Sequence, residues 1–294
     1  MLWFKKQPKE ASGGEADIIE PALLSLPFDA NLFQQHLTHL KHLAETDVGL
    51  EAYIESLRTK QQLFADALNP VAIANLDLAK IEVLLELVFS ARRRVFPAMQ
   101  RLGEQQAVAV IKELLYGKAP LAQRLEGFIE LIPVAAGEDK ESQKSAAKTR
   151  RAAFDFAAEL LHFNDPVKYP LMTRWVWDQS TVSGALREFI RGNDHMAEIP
   201  LGNSPEMFEG VRKWLADRIG EQGLYKDVPL WIDLVLAEAY STYFRSMAEG
   251  LLSADFGRGG GPEEHVKKFL GIDGMRRSGR SRVKKETSEP SLPN

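Results

Sequence analysis

Cysteine is absent from this chain of 294 residues. Disulfides, thiolate-ligated metals, cysteine-bound iron–sulfur clusters and cysteine nucleophiles are thereby excluded, and the composition fits a reducing compartment. Long apolar runs are lacking as well. The most hydrophobic stretch, Ile81–Phe89 (IEVLLELVF), is interrupted by two glutamates and falls far short of the roughly 20 residues that cross a bilayer. After Met1, the apolar stretch of the N-terminus MLWFKKQPKEASGGEAD is three residues long, Leu2, Trp3 and Phe4, where a secretory leader carries roughly 7–15. A soluble, cytoplasmic protein is the expectation. Also missing are the alternation of half-buried strands and any repeat period. There is no Gly-x-Ser-x-Gly, no His-Glu-x-x-His and no dinucleotide fingerprint, so no catalytic residue is nominated and no cofactor is called for.

What remains is ordinary globular material, 45% hydrophobic and 27% charged, enough to bury a core without staples. Its apolar residues recur at helical spacing almost throughout. Asp29 is placed to cap a helix carrying Leu32, Phe33, Leu37, Leu40 and Leu43. Asp47 is the expected cap of a second, Val48–Leu68, which Asn69-Pro70 stops. Asp77 opens a third, running to about Arg94 before Pro97 kinks or breaks the chain. Gln105–Tyr116 and Pro120–Leu131 follow. AAGEDKESQKSAAKTRR (Ala135–Arg151) loses apolar residues and is the best candidate for a boundary. Its second half opens a helix bearing Phe154, Ala157, Ala158 and Leu161. A short helix is expected over Val182–Arg191, another from Ser204-Pro205-Glu206 to about Glu221, and one from Asp227-Val228-Pro229 to about Leu252. GRGGG breaks the chain, and Pro262 opens a last helix ending near Gly271. The predicted fold is all-α: a multi-helix, orthogonal or bundle-like globular protein with flexible termini. Its expected parts are an arm over 1–20, helical subdomains over 21–134 and 135–272, and a basic tail over 273–294.

Three patterns resemble sites of known chemistry. His36, His39 and His42 are three residues apart, so the first two share a helix face and the third turns away. They flank a leucine stripe, and the reading is a solvated face without metal. Glu159-Leu160-Leu161-His162 has the Glu-x-x-His spacing of helical di-iron proteins, but such sites need two of these motifs and two further glutamates. FGRGGGPEEH resembles a phosphate loop leading into a helix, yet Pro262 removes a donor and Glu263 and Glu264 put negative charge where phosphate would sit. It reads as a hinge.

The segment LLHFNDPVKYPLMTRWVWD (Leu160–Asp178) joins two helices through Pro166, Pro170 and two tryptophans. Leu171 is expected to restart a helix, which would set Trp175 and Trp177 about 200° apart. One ring then faces the core, and the other faces solvent, another helix or a ligand. The run AAELLHFNDPVKYPLMTRWV resembles a joint of helical domains related to the helix-hairpin-helix DNA glycosylases. There a small-residue helix ending in Leu-His-Phe meets a Pro-x-x-aromatic-Pro bend. Ala157, Ala158, Leu161, His162, Phe163, Pro166, Tyr169, Pro170 and Val176 carry the likeness over about 20 residues of the 294. It implies a helical scaffold with nucleic-acid affinity. Met172, Thr173 and Arg174 stand where that group often carries an Asp, and no Leu-Pro-Gly-x-Gly hairpin occurs, so base-excision chemistry is not implied.

The net charge of −4 gives no global attraction to nucleic acid. The tail is the exception: MRRSGRSRVKK (Met275–Lys285) holds six positive residues, Arg276, Arg277, Arg280, Arg282, Lys284 and Lys285, and no acid. Its sequence predicts an exposed segment that a protease clips first. The functional expectation is a non-catalytic accessory protein that works through a protein partner, with the tail as an electrostatic arm. His162, Lys168, Tyr169, Arg174, Trp175 and Trp177 form its candidate binding joint. The alternatives are a nucleic-acid-binding protein of a degenerate helix-hairpin-helix type, as the resemblance implies, and an enzyme with a site near His162. Neither the partner nor the oligomeric state is legible.

Overall fold

The computed structural model describes residues 18–250 and 261–273, apart from 135, 138, 194, 195 and 197. The basic tail, most of the N-terminal arm and most of FGRGGG lie outside these residues. The fold is all-α. Among the described residues there are ten α-helices: α1 (Ala30–Glu45), α2 (Leu50–Leu68), α3 (Leu78–Glu86), α4 (Val95–Leu102), α5 (Glu104–Tyr116), α6 (Leu121–Leu131), α7 (Lys140–Asn164), α8 (Pro205–Glu221), α9 (Val228–Gly250) and α10 (Pro262–Phe269). Two short 3₁₀ turns accompany them, Ala72–Asn75 and Ala185–Phe189. No described helix is long and apolar enough to cross a membrane.

Side-chain caps start four of these helices. The side chains of Asp29, Asp77, Asp139 and Ser204 each accept from a backbone N–H of the first turn. Asp47 does not act as the expected cap. Gly49, at φ 86°, precedes α2 instead, and Asp47 accepts from Tyr53 and pairs with Lys267 of α10. The third helix is shorter than expected and ends at Glu86. Pro97 neither kinks nor ends a helix but lies in the first turn of α4. There its missing N–H has no intrahelical acceptor to lose.

Two long helices organise the packing. The helices α2, α4, α5 and α6 gather on α7, while α1, α2, α8, α10 and the second 3₁₀ turn gather on α9. Helix α2 therefore touches both, and α1–α9 and α2–α7 contacts cross the expected division at residue 134. The backbone approach is close enough on α7 because Ala152, Ala153, Ala157 and Ala158 are all buried there. Before α1, the segment from Ile18 threads over α8. Ala22 N–H donates to Glu206 O at 2.7 Å, and a Cβ on Gly210 would lie 2.4 Å from Ala22 O.

The tryptophan joint is not helical. Val176 and Trp177 N–H both donate back to Thr173 O, making one turn, and Asp178 then bridges Ser183. The turn closes over Val182 at φ 51°, a conformation that β-branched residues avoid. Gly184 follows at φ 129°, and a Cβ there would meet Val176 O at 2.6 Å. The proline bends and this tight closure leave no length for the expected helix after Leu171. The short helix expected over Val182–Arg191 is reduced to the 3₁₀ turn.

Candidate functional site

Helix α7 presents an ionisable stripe to the protein interior. Asp155, Glu159 and His162, spaced by four and then three residues, share one face and are 1%, 2% and 1% exposed. Each is matched by a different element. Asp155 accepts from the backbone N–H of Arg174 and from its guanidinium, both at 2.9 Å. Glu159 accepts from Lys60 of α2 at 2.6 Å. His162 meets Asp233 of α9 through Nε2 at 2.9 Å and the carbonyl of Tyr169 through Nδ1 at 2.8 Å. A carbonyl only accepts, so Nδ1 carries a proton. Glu159 and His162 are thus each held by a different partner.

Burial governs the chemistry of this stripe. It pushes the Glu159 carboxyl up to about 7, against the pull of Lys60, and raises Asp155 against the pull of Arg174. Lys60 is fully buried, donates also to Leu270 O at 2.7 Å and lies 3.9 Å from the Phe163 ring centroid. Burial holds its ammonium below the ordinary lysine range, against the pull of Glu159. A cavity of about 20 Å³ adjoins His162 and Asp233, walled by Pro170, Val176, Leu215 and Ile232 among others. That admits one water molecule and no substrate. Both ring nitrogens of His162 are engaged, Nδ1 with the Tyr169 carbonyl and Nε2 with Asp233, so the pair presents no free nitrogen to this space.

The six residues of the joint do not form one outward surface. His162, Tyr169, Trp175 and Trp177 are buried. Trp177 donates to Leu201 O at 3.2 Å. Trp175 packs on other helices, stacked on Phe269 of α10 at 6.1 Å and against Tyr240 of α9 at 5.9 Å. Lys168 is half-buried, with its ammonium 4.9 Å from the Tyr169 ring. Arg174 is 30% exposed, with its guanidinium held between Asp155 and Asp178 at 2.9 and 3.6 Å. The joint is therefore chiefly a wedge, with Arg174 clamping it to α7.

The histidine trio also departs from expectation. His36 is 6% exposed and its Nδ1 lies 2.6 Å from Glu238 Oε2 on α9. Only His39 and His42 stay exposed. The reading of a solvated face fails at His36 because α9 covers that flank of α1.

An open groove of about 840 Å³ lies elsewhere, between the start of α2 and the α8–α9 corner. Leu50, Ile54, Leu224 and Trp231 supply apolar walls, and Glu51, Glu55, Arg58, Lys226 and Asp227 line it with charge. Arg58 is clasped by Glu55 and Asp227 at 2.8 and 2.5 Å, and its guanidinium lowers the Asp227 carboxyl. Asp227 turns the corner at φ 57°, a left-handed backbone that Asp tolerates. Tyr225 beside it is 80% exposed. The sequence pattern gives no hint of this groove, whose two sides are joined only by the fold. Lys60 did carry a signal, since it stands three residues after Leu57 and four before Phe64, on the apolar stripe of α2.

No protein-family model, no curated protein and no solved structure matches the chain.

Proposed function

We propose that this chain is a binding protein without chemistry of its own, and that it takes a segment of a protein partner in the groove between α2 and the α8–α9 corner. The observation that carries the reading is the groove itself: an open space of about 840 Å³ whose lining includes Tyr225, Trp231 and Arg58. Tyrosine, tryptophan and arginine are the side chains that most often dominate protein interfaces. The described interior supports the same reading from the other side. Its buried acids Asp155, Glu159, Asp233 and Glu238 each have an internal partner, with Asp233 Oδ1 alone among their oxygens buried without one, and the space beside the His162–Asp233 pair is about 20 Å³. The occupant's chemistry follows from the lining, which carries three acids and two bases. Arg58 is already paired, so the fitting segment brings an apolar anchor and a basic side chain toward Glu51.

Selection of random 12-residue phage-displayed peptides on the intact protein tests this. Enriched peptides should carry an aromatic or aliphatic anchor beside Lys or Arg. Their affinity should fall about tenfold or more on Tyr225→Ala, a change at an exposed position that leaves stability within about 0.5 kcal/mol. Peptides indifferent to both Tyr225→Ala and Glu51→Lys would defeat the proposal.

Nucleic-acid binding is the competing reading, carried by the six positive residues over Met275–Lys285. Within the described residues Arg174 offers it little, because two aspartates already hold its guanidinium. If the tail grips duplex DNA, replacing Arg276, Arg277, Arg280 and Arg282 by alanine should flatten the slope of log affinity against log salt by up to about 3–4. The groove reading instead expects barely detectable duplex binding at physiological salt.

A further inference from the structure

We infer that His36, His39 and Glu238 form a site for one divalent transition-metal ion of the zinc type. Helix α1 supplies the two imidazoles at i and i+3, and α9 supplies the carboxylate from 202 residues further along the chain. One ligand atom from each lies within 4.8 Å of the other two. His36 Nδ1 stands 2.6 Å from Glu238 Oε2, and His39 Nδ1 stands 3.8 Å from Glu238 Oε1. Ligands about 2.0–2.2 Å from a tetrahedral zinc lie about 3.3 Å apart. An entering ion would therefore replace the short His36–Oε2 contact, which must open, while His39, on the Oε1 side, already stands near ligand spacing.

The surroundings suit an ion. Two imidazoles and one carboxylate form a donor set favoured by zinc and its neighbours in the first transition row. Thr242 Oγ1 donates to Glu238 Oε1 at 2.9 Å, an outer hydrogen bond of the kind that orients a ligating carboxylate. The His36 ring is held edge-on to Phe189 at 5.2 Å. Glu238 and His36 are 4% and 6% exposed, while the His39 side chain is 66% exposed. The ion thus has a fixed inner wall, an accessible entry and an outward position for water. At 3.8 Å, His39 makes no hydrogen bond with the carboxylate it faces. A plain structural His36–Glu238 pair gives His39 no role, and that difference separates the two accounts.

The test uses the full chain, treated with a chelator and then titrated with Co²⁺ or Zn²⁺. One equivalent of Co²⁺ should give ligand-field absorption of a four- or five-coordinate ion, and Zn²⁺ should displace it and raise the thermal unfolding midpoint. His39→Ala should weaken Zn²⁺ binding at least tenfold and abolish the midpoint shift, while unfolding of the metal-free protein stays as in the wild type. His42→Ala, one turn further along α1 and exposed, should leave binding unchanged. Absence of the cobalt spectrum, or wild-type affinity in His39→Ala, overturns the site. Equal loss in His39→Ala and His42→Ala also overturns it, because the ion would then sit on the outer surface of α1.

Discussion

Glu159→Leu should lower the unfolding free energy by about 3–5 kcal/mol at pH 8, and adding Lys60→Met should restore it to the wild-type value or above. The two side chains are 2% and 0% exposed and meet at 2.6 Å. Above about pH 7 the carboxylate is ionised, so deleting it takes away the one counter-charge that hydrogen-bonds Lys60 and leaves the ammonium in the interior with Leu270 O, aromatic faces and the fields of Asp233 and Asp273. Removing both partners removes both desolvation costs, which is why the double change should be benign. Denaturant unfolding followed by circular dichroism reads the outcome. A double variant as unstable as Glu159→Leu would mean that the pair is intrinsically stabilising, against the argument from burial.

The same pair gives a pH dependence with a definite sign. Burial raises Glu159 from 4.5 to about 7. Between those values the folded chain holds a proton that the unfolded chain has released. The stabilisation from this group is therefore full below about 4.5 and is lost as pH rises through about 7. Relative to the double variant, the wild type should lose up to about 1.4 kcal/mol per pH unit across that window. The depressed Lys60 works the other way, on the alkaline side, up to the ordinary value of 10.5. A wild-type minus double-variant difference that stays flat from pH 4.5 to 7 would refute the raised carboxyl.

What was legible in the sequence was local. Asp29, Asp77 and Ser204 announce their helices because a cap acts within three residues. The all-α class follows from the same short-range periodicity. Asp47 misled for the opposite reason: its partners include Lys267, at the far end of the chain. The joint after Leu171 looked helical by composition, but proline bends and the Asp178–Ser183 bridge override propensity. Of the buried ionic stripe, the sequence marks Glu159 and His162 by a metal-motif spacing and His162 by its place in the joint. Their true partners lie 99 and 71 residues away. Glu238, the groove and the covering of His36 by α9 are products of tertiary packing, and no spacing rule reaches them.

The two tryptophans of the joint should respond alike to alanine and differently to phenylalanine. Trp175 and Trp177 are 8% and 1% exposed, so truncation of either ring to alanine should cost about 3–5 kcal/mol through lost burial and the cavity left behind. Phenylalanine keeps most of the apolar area and removes the indole N–H. At 177 that N–H donates to Leu201 O at 3.2 Å, and its loss takes the donor from a buried carbonyl, a cost of about 1–3 kcal/mol. At 175 the indole nitrogen is buried with no hydrogen-bond partner among the described residues. Trp175→Phe should therefore recover a desolvation penalty while keeping the stack on Phe269, and should stay within about 1 kcal/mol of the wild type. Urea unfolding followed at 222 nm compares the four variants without relying on the fluorophores they remove. If Trp175→Phe costs as much as Trp177→Phe, the Trp175 indole has a partner of its own, and the joint is held by two polar anchors rather than by one anchor and one wedge.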